Sequence, residues 1–233
     1  MLKFFRKINM ERGRFKKYLV YLIGEMFLIV LGILVALQIH NWNQQRVNSR
    51  TEIQYLQNIK RQLKEDLEEI VGNKQYNQKY LKEFHSAISI IQANDRSNIE
   101  VLGGISANLS KYSDFRRKSN VYQTLINSGE VKYITNYDII ENLQSLEETY
   151  TLINRLEETH NAAIMNFAVP TLVDVISFST LTVKKPEVLF DYRYQNMFVL
   201  FTGLMKEKEE IYTKAQKEIE HILSQIDMEI VSK

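Results

Sequence analysis

Residues 18–39 read YLVYLIGEMFLIVLGILVALQI, and residues 40–71 continue HNWNQQRVNSRTEIQYLQNIKRQLKEDLEEIV with no proline or glycine from Ile33 to Val71. Glu25 is the sole charge in the first part, and at about 1.5 Å per helical residue twenty-two residues cover a roughly 30 Å hydrocarbon core. A cleaved signal peptide has a shorter apolar core and small residues at a cleavage site, whereas this core runs straight into Gln38, His40, Asn41, Trp42 and Asn43. Lys16, Lys17 and Tyr18 at one end and Trp42 at the other suit the two interfaces of a membrane. The reading is therefore a retained transmembrane helix at 18–41 that runs on as a stalk.

Outward from that segment, charge sets direction. Residues 1–17 hold seven Lys/Arg against Glu11, a balance of +6 in a chain whose net charge is +2, so the remainder is mildly acidic. Basic residues beside a span stay cytoplasmic, which predicts a basic cytoplasmic tail at 1–17 and an exported domain at 42–233, periplasmic if the membrane is a bacterial inner membrane. Leu2, Phe4, Phe5 and Ile8 among those cations suit a short amphipathic segment on an anionic leaflet, or no more than a topology signal. The predicted export also argues against nucleic acid as a partner.

Within the span a lone carboxylate costs about 2–3 kcal/mol. At 100° per residue Glu25, Ile29, Gly32 and Ala36 share one stripe, and Gly32 with Ala36 forms a small-xxx-small pair at which a second helix can approach. Glu25, Gly32 and Ala36 are thus the candidate self-association residues, predicting a homo-oligomer in the lipid bilayer. The bland alternative is a neutral Glu25 reaching headgroup water.

The stretch FFRKI, the span YLIGEMFLIVLGILVALQIHNWN and the helix opening EIQYLQNIKRQL together resemble a domain-of-unknown-function family of small single-pass membrane proteins of Gram-negative bacteria. The likeness is strong over residues 1–70 and weaker at NVYQTLINSGEVKYITN, 120–136, and His40 stands where that family more often has Asn. It implies a membrane-anchored helical protein and imports no reaction, cofactor or catalytic residue.

Two prolines and eight glycines in 233 residues leave little turn chemistry, and the 45% apolar and 25% charged fractions are those of a chain that folds. The fold class predicted is all-α. Leu56, Ile59, Leu63, Leu67 and Ile70, then Tyr76, Tyr80, Phe84, Ile88 and Ile91, keep helical spacing, with Lys60, Arg61, Lys64, Glu65, Asp66 and Glu68 read as the solvated faces and Gly72–Asn73 as a possible kink. NDRSN at 94–98 signals a turn. An irregular insert at about 95–135 contains a helix starting at Ser119 or Asn120 and stopping at Gly129. Asn136 caps a long helix with core residues Ile139, Leu143, Leu146, Tyr150, Ile153, Ile164 and Phe167, interrupted at Pro170. Residues 171–183 read as a buried helix or membrane-surface element, too short to cross. LTVKKPEV reads as a loop, and a last helix over about 192–230 carries Phe198, Phe201, Leu204, Tyr212, Ala215, Ile219, Ile222 and Ile226 inward with KEKEE at 206–210 exposed.

Zero cysteines exclude disulfides, thiolate catalysis, zinc knuckles and iron–sulfur clusters, and no phosphate-loop, dinucleotide, zinc-protease or nucleophile-elbow motif occurs. Tyr112, Phe115, Arg116, Arg117 and Tyr122 place aromatics among cations, a pattern for contact with an acidic partner, an anionic headgroup or a polysaccharide, although a solvated loop whose aromatics cap the bundle is the favoured reading. The pairs Glu157-x-x-His160 and Glu218-x-x-His221 match the ligand spacing of di-metal bundles. However, Glu157 and His160 extend the core spacing of their helix, while Glu218 and His221 flank the Ile219–Ile222 stripe, so the registers favour a polar layer without metal or other cofactor. The expectation is a non-enzymatic interaction or sensory module, with a metal-binding or enzymatic bundle as the alternative.

Overall fold

A computed structural model describes the backbone of residues 2–117, 119–180 and 182–233, and the side chains from residue 21 onward at those positions. Among the described residues the chain is all-α apart from one minimal hairpin. It divides into two units, Met1–Glu52 and Ile53–Lys233.

In the first unit, helix α1 (Leu2–Gln92) carries the apolar segment. Among the described residues it is the one helix long and apolar enough to cross a membrane, and none of its apolar window is buried. Glu25, Gly32 and Ala36 are exposed, and a Cβ on Gly32 would meet no atom within 4 Å. The cationic side chains of residues 3–17, on which the orientation rests, lie outside the described residues.

In the second unit α1 continues through Gly72 without a break and packs with α4 (Tyr137–Ala163) and α7 (Tyr192–Ser232). The buried seam of α1 in this unit runs through 56, 59, 63, 66, 70, 77, 80, 84, 87 and 91, an alternation of threes and fours that slips where half-buried Asn73 intervenes, with Gln62 buried beside it. The seam of α4 runs through 139, 143, 146, 150, 153, 157 and 160, and that of α7 through 194, 198, 201, 205, 208, 212, 215, 219, 222 and 226 in the same rhythm, with Thr149, Ala163, Met197 and Thr202 buried beside them. Such a 3.5-residue period is that of a coiled-coil seam. The direction of the helices follows from their pairings. Asn136 bonds Glu229, Asn142 bonds Gln225 and Tyr212 bonds Glu157, so α4 and α7 are antiparallel. Lys60 pairs with Asp227 and Asn77 donates to the Met205 carbonyl, so α1 and α7 are antiparallel too. α1 and α4 are therefore parallel, and the chain between them must travel back along the bundle.

That return is the irregular insert. It holds α2 (Ile99–Ala107) and α3 (Val121–Ser128) and descends along α1 in order: Asn108 bonds Glu83, the Arg116 amide bonds Glu69, and the Val121 amide bonds Gln62. The sequence signals at its ends hold. Asn120 caps α3 by accepting from the Gln123 amide, Gly129 closes it in the left-handed region at φ 72, and Asn136 accepts from the amides of Asp138 and Ile139 to open α4.

Five expectations need correction. Asp66 is 2% exposed, because it takes the core position on the face where Leu67 is only half-buried. Phe167 is 58% exposed: residues Ile164–Ala168 form a π-helical turn, which places Ala168 rather than Phe167 in the core. Pro170 just beyond cannot donate to the carbonyl four residues back, and α5 (Val169–Val175) starts there. Residues 171–183 are not one helix. α5 ends at Val175, and β1 (Ile176–Ser177) pairs antiparallel with β2 (Thr182–Val183), which brings Val183 so close to Gly103 that a Cβ there would collide with it. A short α6 (Pro186–Leu189) lies within the supposed loop. Finally, KEKEE is not all exposed, since Lys208 is 1% exposed and Met205, not Leu204, holds the preceding core position.

Candidate functional site

The apolar core is two clusters, one from Leu56 to Ile70 on α1 with the α4 and α7 residues facing it, the other from Tyr80 to Ile91 with its own partners. Between them the heptad positions are polar. Asn77 on α1, Glu157 and His160 on α4 and Lys208 on α7 are each at most 4% exposed. Buried charge is tolerated only when paired and hydrogen-bonded, and here the partners come from the crossover.

Residues 111–117 lie across this layer. Lys208 Nζ donates to Ser113 Oγ at 2.7 Å, and Ser113 Oγ lies 2.8 Å from Tyr212 Oη. Tyr212 donates its hydroxyl proton to Glu157 Oε1, so the Ser113 proton is the one that points to Tyr212. The Phe115 amide donates to both carboxylate oxygens of Glu157 at 3.0 Å. An ammonium is thus joined to a carboxylate through two hydroxyls whose donor directions are all fixed. Burial raises the Glu157 carboxyl above its ordinary range, against the pull of Tyr212, Phe115 and Lys208. Burial likewise brings Lys208 down to about 8 and raises Tyr212. The pair is neutral as a unit, which is what makes it tenable.

His160 is fully buried, with no hydrogen-bond partner at either ring nitrogen. Its ring packs against Tyr112 at 6.1 Å and Phe201 at 5.3 Å between centroids. Burial, and then the Lys208 charge, lower it to about 3, so it is neutral at pH 7. On the outer side of the layer a cleft of about 200 Å³ is lined by Tyr112, Asp114, Asn154, Glu157, Glu158 and Asn161.

One heptad and more along the bundle a second polar node holds the same crossover. Arg117 grips Glu147 with two bonds of 2.7 and 2.9 Å, lies 3.6 Å from Asp66 and covers the Tyr150 ring at 4.4 Å. Asp66 accepts from Tyr150 Oη at 3.1 Å and from Gln62 at 3.3 Å, and burial raises its carboxyl against the pull of Arg117.

Of the five residues read as a partner-contact cluster, Phe115 and Tyr122 are core residues, Tyr112 is half-buried over His160 and Arg117 is anchored as above. Arg116 alone is exposed, paired with Asp114 at 2.6 Å. The aromatics cap the bundle. Glu218 bonds Ser145, three turns of α4 before Glu157, and His221 is exposed, so the two Glu-x-x-His pairs occupy different levels. Among the described residues no three His, Asp or Glu side chains are grouped to hold a metal ion. Lys208 escaped the sequence reading because it sits in a charge run. Its signal is the 4-3-4 spacing Phe201, Met205, Lys208, Tyr212.

Asn77, Glu157 and His160 of the polar layer, the crossover, α4 and most of α1 fall within residues 25–201, which match the model of a family described as a family of unknown function, DUF6090, whereas Lys208 and Tyr212 lie beyond the match. The chain belongs to that family. The match spans Glu25 of the apolar segment, the crossover and the start of α7. No curated protein and no solved structure matches the chain.

Proposed function

We propose that this member of the family is a single-pass membrane protein of the bacterial cell envelope whose helical bundle is a non-enzymatic interaction or sensory module. The observation that supports this is the continuity of α1, since one helix supplies both the exposed apolar segment and one buried seam of the bundle core. The buried charges support it too, because Glu157, Lys208 and Glu147 each bond a residue of the crossover and so hold it in place. The orientation proposed has the basic N-terminus in the cytoplasm and the bundle in the periplasm, on the strength of the seven cations before Tyr18. The partners proposed are the lipid bilayer, a second copy through the span, and an envelope protein. A reporter active only outside the cytoplasm, fused after Lys233, is expected to be active, and a reporter active only inside to be silent. The reverse pattern would remove the proposal.

Self-association through Glu25, Gly32 and Ala36 has its own test. Because a side chain at Gly32 meets nothing in its own chain, Gly32→Ile acts only on what approaches from outside. It is expected to weaken dimerisation of the span measured by energy transfer in bilayers, whereas Leu28→Ile leaves it unchanged. Equal behaviour would mean that the stripe faces lipid.

A further inference from the structure

We propose that residues 111–114 are an acid-released latch, in which protonation of His160 requires Tyr112 to lift from the bundle and so frees this part of the crossover from the polar layer. His160 has no exposure, and neither ring nitrogen has a partner. No water or carboxylate can reach the ring while Tyr112 covers it from the crossover and Phe201 from α7. The charged and titratable groups around it are Lys208 on α7, Tyr112 itself and Glu157 one turn back on its own helix, and the α1 residue of the layer is the neutral Asn77. Lys208 repels a proton arriving at His160, and Glu157 is committed to Phe115 and Tyr212. A protonated ring therefore has no place in the closed arrangement. It gains water when the crossover moves, and residues 111–114 are the part of the crossover free to do so, Phe115 being packed on Tyr150 and Arg117 bonded to Glu147. Lys111 and Arg116 are exposed, and the contacts of Ser113, Asp114 and Arg116 are polar ones that water can replace.

The sign is set by linkage. With His160 near 6.5 when open and about 3 when closed, the opening constant rises about thirty-fold from pH 8 to pH 5 through this group alone. Glu157 works the other way, since closure favours its protonated form, so its contribution must be cancelled by comparison with a variant that keeps it. The test is hydrogen–deuterium exchange, resolved to single amides, of the full chain in detergent micelles at pH 8 and pH 5, for the native protein and His160→Phe. The Phe115 amide, bonded to Glu157, reports the latch, and the Ile153 and Ile219 amides report the core. The native-to-variant ratio of exchange at Phe115 is expected to rise about thirty-fold on acidification while the ratio at Ile153 and Ile219 stays constant. A second variant, Tyr112→Ala, uncovers the ring and is expected to speed Phe115 exchange already at pH 8 and to flatten its acid response. An unchanged ratio at Phe115 would overturn the latch, and so would an equal rise at Ile153 and Ile219, which would mean that protonation unfolds the whole bundle.

Discussion

Replacing Glu157 by leucine is expected to destabilise the bundle by about 3–5 kcal/mol, because it strands the Lys208 ammonium in the core without a counter-charge. Lys208 is 1% exposed and its bond to Ser113 supplies an oxygen but no charge. The Phe115 amide loses its acceptor in the same step. Lys208→Met in the native background removes the charge but keeps the aliphatic stem, and leaves Glu157 with two donors, so its cost is expected to be smaller, about 1–3 kcal/mol. The double variant Glu157→Leu with Lys208→Met removes both ions and fills their volume. It is expected to recover most of the loss, as isosteric apolar replacement of a buried ion pair commonly does. Urea unfolding of all four proteins, followed by circular dichroism, measures the cycle. Strict additivity of the single variants would show that Glu157 and Lys208 do not act as a pair.

Removing the other anchor of the crossover is expected to cost nearly as much. Arg117→Ala takes away the bidentate grip on Glu147 and the guanidinium 3.6 Å from Asp66, which is 2% exposed, for a loss of about 3 kcal/mol. Arg117→Lys keeps the charge but not the fork, and half of the loss, about 1–2 kcal/mol, is expected to remain. The pH dependence has a definite sign. Burial already raises the folded-state Asp66 carboxyl above its ordinary 3.8, so the folded protein holds this proton more tightly than the unfolded chain. Ionisation of Asp66 therefore costs stability as pH rises through that window, and without Arg117 the carboxyl is raised further. The deficit of Arg117→Ala is expected to shrink as the pH is lowered from 7 towards 5, because a neutral Asp66 needs no cation. Denaturation midpoints at the two pH values check this, and a deficit that does not change between them would show that Asp66 is still ionised in the variant at pH 5.

Both predictions act on residues that differ in how readable they were. Glu157 and His160 extend the apolar spacing of α4, so their inward direction was legible, and so was the outward drift of Glu218 and His221 from the α7 stripe. Asp66 and Lys208 occupy equally regular positions, yet each lies inside a run of charges that reads as a solvated face. Burial of such a residue is decided by its partners, and these are remote: Tyr150 and Arg117 for Asp66, Ser113 for Lys208. Phe167 went wrong for a local reason that spacing does not encode, the π turn before Pro170.

What the sequence determined by itself is whatever one short stretch settles alone. The length and apolarity of 18–39, the unbroken helical run from Ile33 to Val71, the caps at Asn120 and Asn136, the left-handed Gly129 and the all-α class depend on backbone hydrogen bonds and on side chains a few residues apart. The tertiary structure alone decided that α1 and α4 run parallel, that the insert is their return crossover, and that its serine, backbone amide and arginine supply hydrogen-bond partners to the charges in the core. A charge at a core position is affordable only when a partner arrives from another element. Apolar periodicity records where surface must be buried, and it carries no record of which distant group will stand opposite.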